Sequence, residues 1–149
     1  MDTSLVAALK ADEGFSPTPY IDVGVGGISL GTAVGYGRNL TREPLDEEEA
    51  SFLLYSSIMK KRAALEHQQP FFNKLSSPRK DAILLMAYQM GVAGCLGFKR
   101  MWACLEKADW VGAALEAKES KWGRQYTKRA ERVVQLLESG KWPSGEGKV

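Results

Sequence analysis

The sequence predicts one mainly helical α+β domain with two lobes. Three stretches carry that reading. Six glycines from Gly24 to Gly37 interleave with Val23, Val25, Ile28, Leu30 and Val34, a pattern of short strands and tight turns. "PLDEEEASFLLYSSIMKKRAALE" joins a helix-start signal to a charge order that suits a long helix. "SSPRKDAILLMAYQMG" is apolar nearly all round from Ala82 to Met90, apart from Gln89, as a central buried helix is. These give a small β-containing lobe over 14–45, a linking helix over 46–67, and a helical lobe over 68–149 that the N-terminal helix completes. A cleft between two such lobes is the natural place for a ligand.

Taken in order, Thr3 can cap a first helix with Leu5, Val6 and Leu9 on one face and Gly14 just past its end. Pro17 and Pro19 then forbid helix, and the glycine ribbon follows. Asp46 is an N-cap and Glu49 completes a capping box. Acids fill the first turn of that helix, and Lys60, Lys61 and Arg62 its later part, as the macrodipole favours. Ser77 reads as the cap of the apolar helix, with Pro78 at its first position and a stop at Gly91. Shorter helices follow over about 98–107, after Asp109 as a cap, and over about 127–139 before Gly140. The tail "PSGEGKV" reads as loose.

At 149 residues, 44% apolar and with four tryptophans, the chain can bury a real core. Its net charge of +2 gives no argument for nucleic acid. From Phe98 onward eleven Lys/Arg meet seven Asp/Glu, a mildly basic half that would tolerate an anionic partner. Cys95 and Cys104 sit in apolar surroundings and read as free thiols packed as small hydrophobes. His67 is the only histidine, no Cys/His spacing suits zinc, and a structural role is its default. No stretch approaches the roughly 20 apolar residues of a membrane span. The start "MDTSLVAALKADEGF" reads as made without an export signal.

The ribbon is a poor phosphate loop: no Gly-Lys-Ser/Thr follows, and "GYGRNL" lacks the third glycine of a dinucleotide fingerprint. A hairpin that lets a ligand approach its backbone fits better. Beside it stand two acids of unlike setting. Glu13 lies at a helix C-terminus, which disfavours a second anion; shielded from water, it could stay protonated and act as a general acid. Asp22, in a polar loop, would stay ionised. Two carboxylates set apart by environment fit glycoside hydrolysis, although a chain with 18 acids offers many such pairs.

An ordered set of blocks narrows this. "DEGF…PYID", "VGYGRNLT", "AYQMGVAGCLGF" and "KESKWGRQYTKRAERVVQLLESGKW" run from about residue 4 to residue 142. In that order the sequence resembles the phage-type lysozymes of the T-even phage class, glycoside hydrolase family 24. The resemblance implies a lysozyme-like fold. It also implies Glu13 as general acid, Asp22 as base or electrostatic stabiliser, and Arg129 as an arginine that pairs with the acid. Asn39, Tyr88, Gln89 and Trp122 match positions that line or support the cleft; core packing is the equal alternative for Trp122. Relatives place a threonine directly before the Val-Gly-Tyr-Gly run to hold the attacking water. Here that register gives Ala33, so Thr32 is the expected substitute and Ser29 the alternative. Arg38 stands where relatives often carry histidine and could pair permanently with an acid.

The implied protein is an endolysin. It would cut the β-1,4 bond between N-acetylmuramic acid and N-acetylglucosamine in peptidoglycan, without a cofactor or metal. It would act as a monomer with no nucleic acid and no stable membrane association. Made in the host cytoplasm, it would reach the wall through a membrane-permeabilising holin. The rivals are a lytic transglycosylase on the same fold, a wall-binding module without catalysis, and a small nucleic-acid-binding protein.

Overall fold

The computed structural model describes residues 3–144, and over them the chain is mainly helical with one small antiparallel sheet, as the sequence predicts. It divides into two compact units between Phe52 and Leu53, inside a long helix.

In the N-terminal unit, α1 (Thr3–Glu13) ends at Gly14, whose φ of +69° is the left-handed geometry that closes helices. Three strands follow, β1 (Ser16–Val23), β2 (Ser29–Gly35) and β3 (Arg38–Asn39), with β2 in the middle. Pro17 and Pro19 lie on β1, an edge strand that tolerates a missing N–H. The ladder skips there, from Ser16 opposite Gly35 to Tyr20 opposite Ala33. A second irregularity lies beside the candidate site. Asp22 is opposite Gly31 but Val23 is opposite Ser29, so Leu30 is one residue too many: a β-bulge. Between β1 and β2 a 3-10 turn (Val25–Gly27) holds Gly26 and Gly27 at φ +79° and +78°, which is why the ribbon needs glycine.

The start of α2 (Glu47–Gln68) has the reciprocal capping box that its sequence promised. Glu49 N–H donates to Asp46 Oδ1 at 2.8 Å, and Asp46 N–H donates to Glu49 Oε2 at 3.1 Å. Arg38 forms a two-pronged ion pair with the same glutamate, through Nη1 to Oε1 and through Nη2 to Oε2 at 2.9 Å. It also donates to the carbonyls of Glu43 and Pro44, so one guanidinium ties the 40–46 loop to the helix start. Arg38 thus keeps the acid partner that its permanent charge allows.

The C-terminal unit is helical and carries the core. After a 3-10 turn (Pro70–Lys74) come α3 (Ser77–Leu96), α4 (Lys99–Glu106), α5 (Trp110–Glu119), α6 (Lys121–Gln125) and α7 (Thr127–Ser139). The apolar face of α3 is buried as expected, with Ile83, Met86 and Ala87 packed among Leu65, Phe72, Met101, Leu105, Val133 and Leu136. Asp109 caps α5 by accepting from Gly112 N–H at 2.9 Å, and α7 stops at Gly140 in the left-handed region. Three details correct the sequence reading. The cap residue of α3 is Ser76, with Ser77 already helical. Gly91 does break the helix, at φ +82°, but helical backbone resumes beyond it to Leu96. The short α6 was not anticipated; Ser120 starts it by accepting from Gly123 N–H at 3.0 Å.

Both cysteines are free. Burial pushes the Cys95 thiol up to about 12; Cys104, half-buried, is also pushed up by desolvation and then by Asp109 and Glu116. His67 is exposed at the end of α2. No single helix among the described residues is long and apolar enough to cross a membrane. Of the tail read as loose, residues 145–149 lie outside the described residues, as do Met1 and Asp2.

Candidate active site

In the N-terminal unit, Glu13 is the last residue of α1 and is exposed, so the shielding from water that the sequence reading asked of it is not there. Its carboxylate lies close against the β2–β3 turn: a Cβ placed on Gly37 would come within 2.9 Å of Glu13 Oε2. Gly37 has φ +77°, so both the backbone and the neighbour favour glycine there.

Two residues further on, strand β3 reaches the second acid. Asn39 Nδ2 donates to Asp22 Oδ2 at 3.1 Å. The segment 37–39 therefore abuts Glu13 at one end and binds Asp22 at the other, within roughly 7 Å of extended chain. Asp22 is half-buried on β1, opposite Gly31.

Register decides which side chains share Asp22's face of the sheet. Gly31 is its partner, Ala33 is two residues along β2, and Asn39 is opposite Ala33. Thr32 is opposite Ile21, so strand alternation sends its side chain to the other face. Its backbone is engaged instead: Thr32 N–H donates to Thr41 Oγ1 at 3.0 Å, and its carbonyl accepts from Leu40 N–H at 2.7 Å. Ser29 is exposed next to the bulge, opposite Val23. Ala33, which takes the place of the expected threonine, is buried.

In the C-terminal unit, Gln89 gathers two more predicted residues. Its Oε1 accepts from Trp122 Nε1 and from Arg129 Nη1, both at 3.2 Å. Trp122 is buried and belongs to the core, so it combines packing with this bond. Tyr88 stands apart, exposed, with Lys61 Nζ 5.4 Å from its ring centroid. A pocket of 430 Å³ beside Gln89 has Trp122 and Tyr126 in its wall, and one of 350 Å³ has Lys128 and Arg129. A larger pocket of 720 Å³ is walled by Lys99, Arg100, Lys118 and Arg124 with Glu116 and Glu119, and by none of the predicted residues.

The 22–39 pairing and the place of Thr41 within it were not read from sequence. A local signal was present for the Asn39–Thr41 contact alone: in "NLT" an Asn precedes a Thr by two residues. Asn39 Oδ1 does accept from Thr41 N–H, the Asx-turn contact that Asn favours.

No protein-family model matches the chain. Two proteins of Dictyostelium discoideum, Probable T4-type lysozyme 2 and Probable T4-type lysozyme 1, are each 39% identical to it over 69 residues, 46% of this chain. The chain is similar to T4-type lysozymes. Those matches cover 41% of each relative, so the chain spans less than half the length of the curated relatives it matches. The Pre-baseplate central spike protein Gp5 of Enterobacteria phage T4 is 27% identical over 160 aligned residues, 92% of this chain and 28% of that protein.

Proposed function

We propose that the chain is a lysozyme that hydrolyses the β-1,4 bond between N-acetylmuramic acid and N-acetylglucosamine in bacterial peptidoglycan. The observation that carries this reading is the short segment 37–39, which lies close to the Glu13 carboxylate at Gly37 and binds Asp22 through Asn39. Similarity to T4-type lysozymes supports it. Glu13, exposed at the end of α1 in the free chain, protonates the leaving oxygen once bound substrate shields it from water. Asp22 has Oδ2 held by Asn39, which leaves Oδ1 to orient a water or to face the oxocarbenium-like centre. Both tasks are proton transfer and charge stabilisation, which carboxyl groups perform without a cofactor.

Thr32 enters the proposal through its backbone, which holds Thr41 and Leu40 behind Asn39. Gln89, Trp122 and Arg129 form a supporting cluster of the helical unit, and Tyr88 offers an exposed ring to sugar. The 720 Å³ pocket has four basic and two acidic side chains in its wall, a positive excess that suits an anionic cell wall. In this reading the chain is an endolysin of glycoside hydrolase family 24. It acts as one monomeric domain and is brought to the wall by a membrane-permeabilising partner.

Turbidity loss of purified peptidoglycan tests the proposal. Glu13→Gln and Asp22→Asn should each slow clearing by about a hundredfold or more. Clearing by Glu13→Gln at the wild-type rate would remove the proposed acid. Thr32→Ala should leave the rate nearly unchanged; a large loss would return the water to its hydroxyl. Product mass separates hydrolysis, which gives reducing ends, from transglycosylation, whose anhydro ends are lighter by one water.

A further inference from the structure

The bulge at Leu30 creates a problem that Asn39 solves. An extra residue in a strand leaves backbone groups out of the ladder. Asn39 Nδ2 donates to the Leu30 carbonyl at 3.0 Å, and with its other hydrogen to Asp22 Oδ2. Its Oδ1 accepts from Thr41 N–H and Arg42 N–H, both at 3.1 Å. An amide offers two hydrogens and two lone pairs, and all four are used. The orientation of the amide is therefore fixed by backbone: a flip would set Nδ2 against two N–H groups and Oδ1 against a carbonyl and a carboxylate. Gly31 leaves the room. A Cβ there would stand 2.5 Å from Thr41 Cβ, 2.6 Å from Thr41 Oγ1 and 3.0 Å from Asn39 Oδ1.

We infer that Asn39 is a positioning residue: its polarity-fixed amide anchors the Asp22 carboxylate to the Leu30 bulge and so aims the free oxygen Oδ1 at the reaction centre. The inference rests on the proposed role of Asp22. Asn39 touches no substrate in this scheme. It acts through Asp22, so its loss should lower turnover more than binding.

Two measurements separate the anchor from the function. In the first, the Asn39 side-chain amide resonance is followed by NMR in the wild type and in Asp22→Asn. The resonance should shift clearly, while the Thr41 and Arg42 backbone amides, held by Oδ1, should hardly move. An Asn39 resonance indifferent to the change at residue 22 overturns the anchor. In the second, Asn39→Asp keeps an oxygen for Thr41 and Arg42 but turns an oxygen toward Asp22 and Leu30. On soluble peptidoglycan fragments its kcat should fall roughly tenfold or more with KM little changed. An unchanged kcat, or a loss seen only in KM, overturns the positioning role. If Asp22→Asn is fully active while the Asn39 resonance responds as expected, the proposed mechanism fails and the anchor stands. The first measurement leaves residue 39 intact and does not depend on whether Asn39→Asp folds.

Discussion

The two units are held together by different physics. Twenty buried apolar residues cluster in the C-terminal unit, whereas Ala33 is the one buried apolar residue among the described residues of the N-terminal unit. What the smaller unit has instead is polar: the four-bond Asn39 amide, the two-pronged Arg38–Glu49 pair, and the Asp46–Glu49 capping box. Apolar burial is non-directional and tolerates rearrangement, whereas hydrogen bonds fix positions to tenths of an ångström. A unit built on directional bonds can aim a carboxylate but has little reserve when one bond is lost. Both candidate acids are in that unit.

The sharpest way to break this contrast is to damage each unit separately. Phe72 is fully buried, so Phe72→Ala should cost about 3–5 kcal/mol by lost burial and cavity formation. Thermal melts should show it, and hydrogen exchange should rise throughout α3 and α7. Next in size is Gly31→Ala, where a left-handed φ of +118° and the contacts with Thr41 both oppose a side chain. About 1–3 kcal/mol is expected. The loss should be local, with exchange rising over residues 29–42 and unchanged protection in α3. If both variants instead unfold the chain in one indistinguishable transition, the two units are energetically one body.

The smallest effect expected is electrostatic. The Glu49 carboxyl is held below its ordinary value of 4.5, first by the Arg38 hydrogen bond and then by the Asp46 backbone N–H. A lowered folded value means that this contribution is complete above the unfolded value and fades as pH falls through the folded one. Arg38→Met should therefore melt earlier than wild type near neutral pH, with the gap narrowing as pH drops below 4.5. A gap that stays constant down to strongly acid pH would assign the role of Arg38 to its bonds with the Glu43 and Pro44 carbonyls.

Much of the fold was legible because its signals are local. The Asp46–Glu49 box spans three residues, the Asp109 cap reaches Gly112, and Gly14 and Gly140 mark helix ends by their own backbone freedom. The apolar circumference of α3 announced the core. Misses came where a local signal was shared or weak. Ser76 and Ser77 are equally good caps by type, and α6 is only five residues long, too short for periodicity to register.

Sequence by itself determined the longer helices, the glycine-dependent turns, the acids on offer and the likeness to lysozymes. Tertiary structure decided which of those groups act together. Asp22 and Asn39 are 17 residues apart, and nothing in either neighbourhood says that they meet. The resemblance implied a role for Thr32 beside Asp22, yet the face each occupies follows from strand register. One bulged residue, Leu30, sets how the ribbon pairs across β1. The physical reason is the period of two in a strand. Caps and apolar stripes are fixed within a few residues, but a shift of one position in pairing turns a whole strand over, and only the assembled sheet specifies that shift.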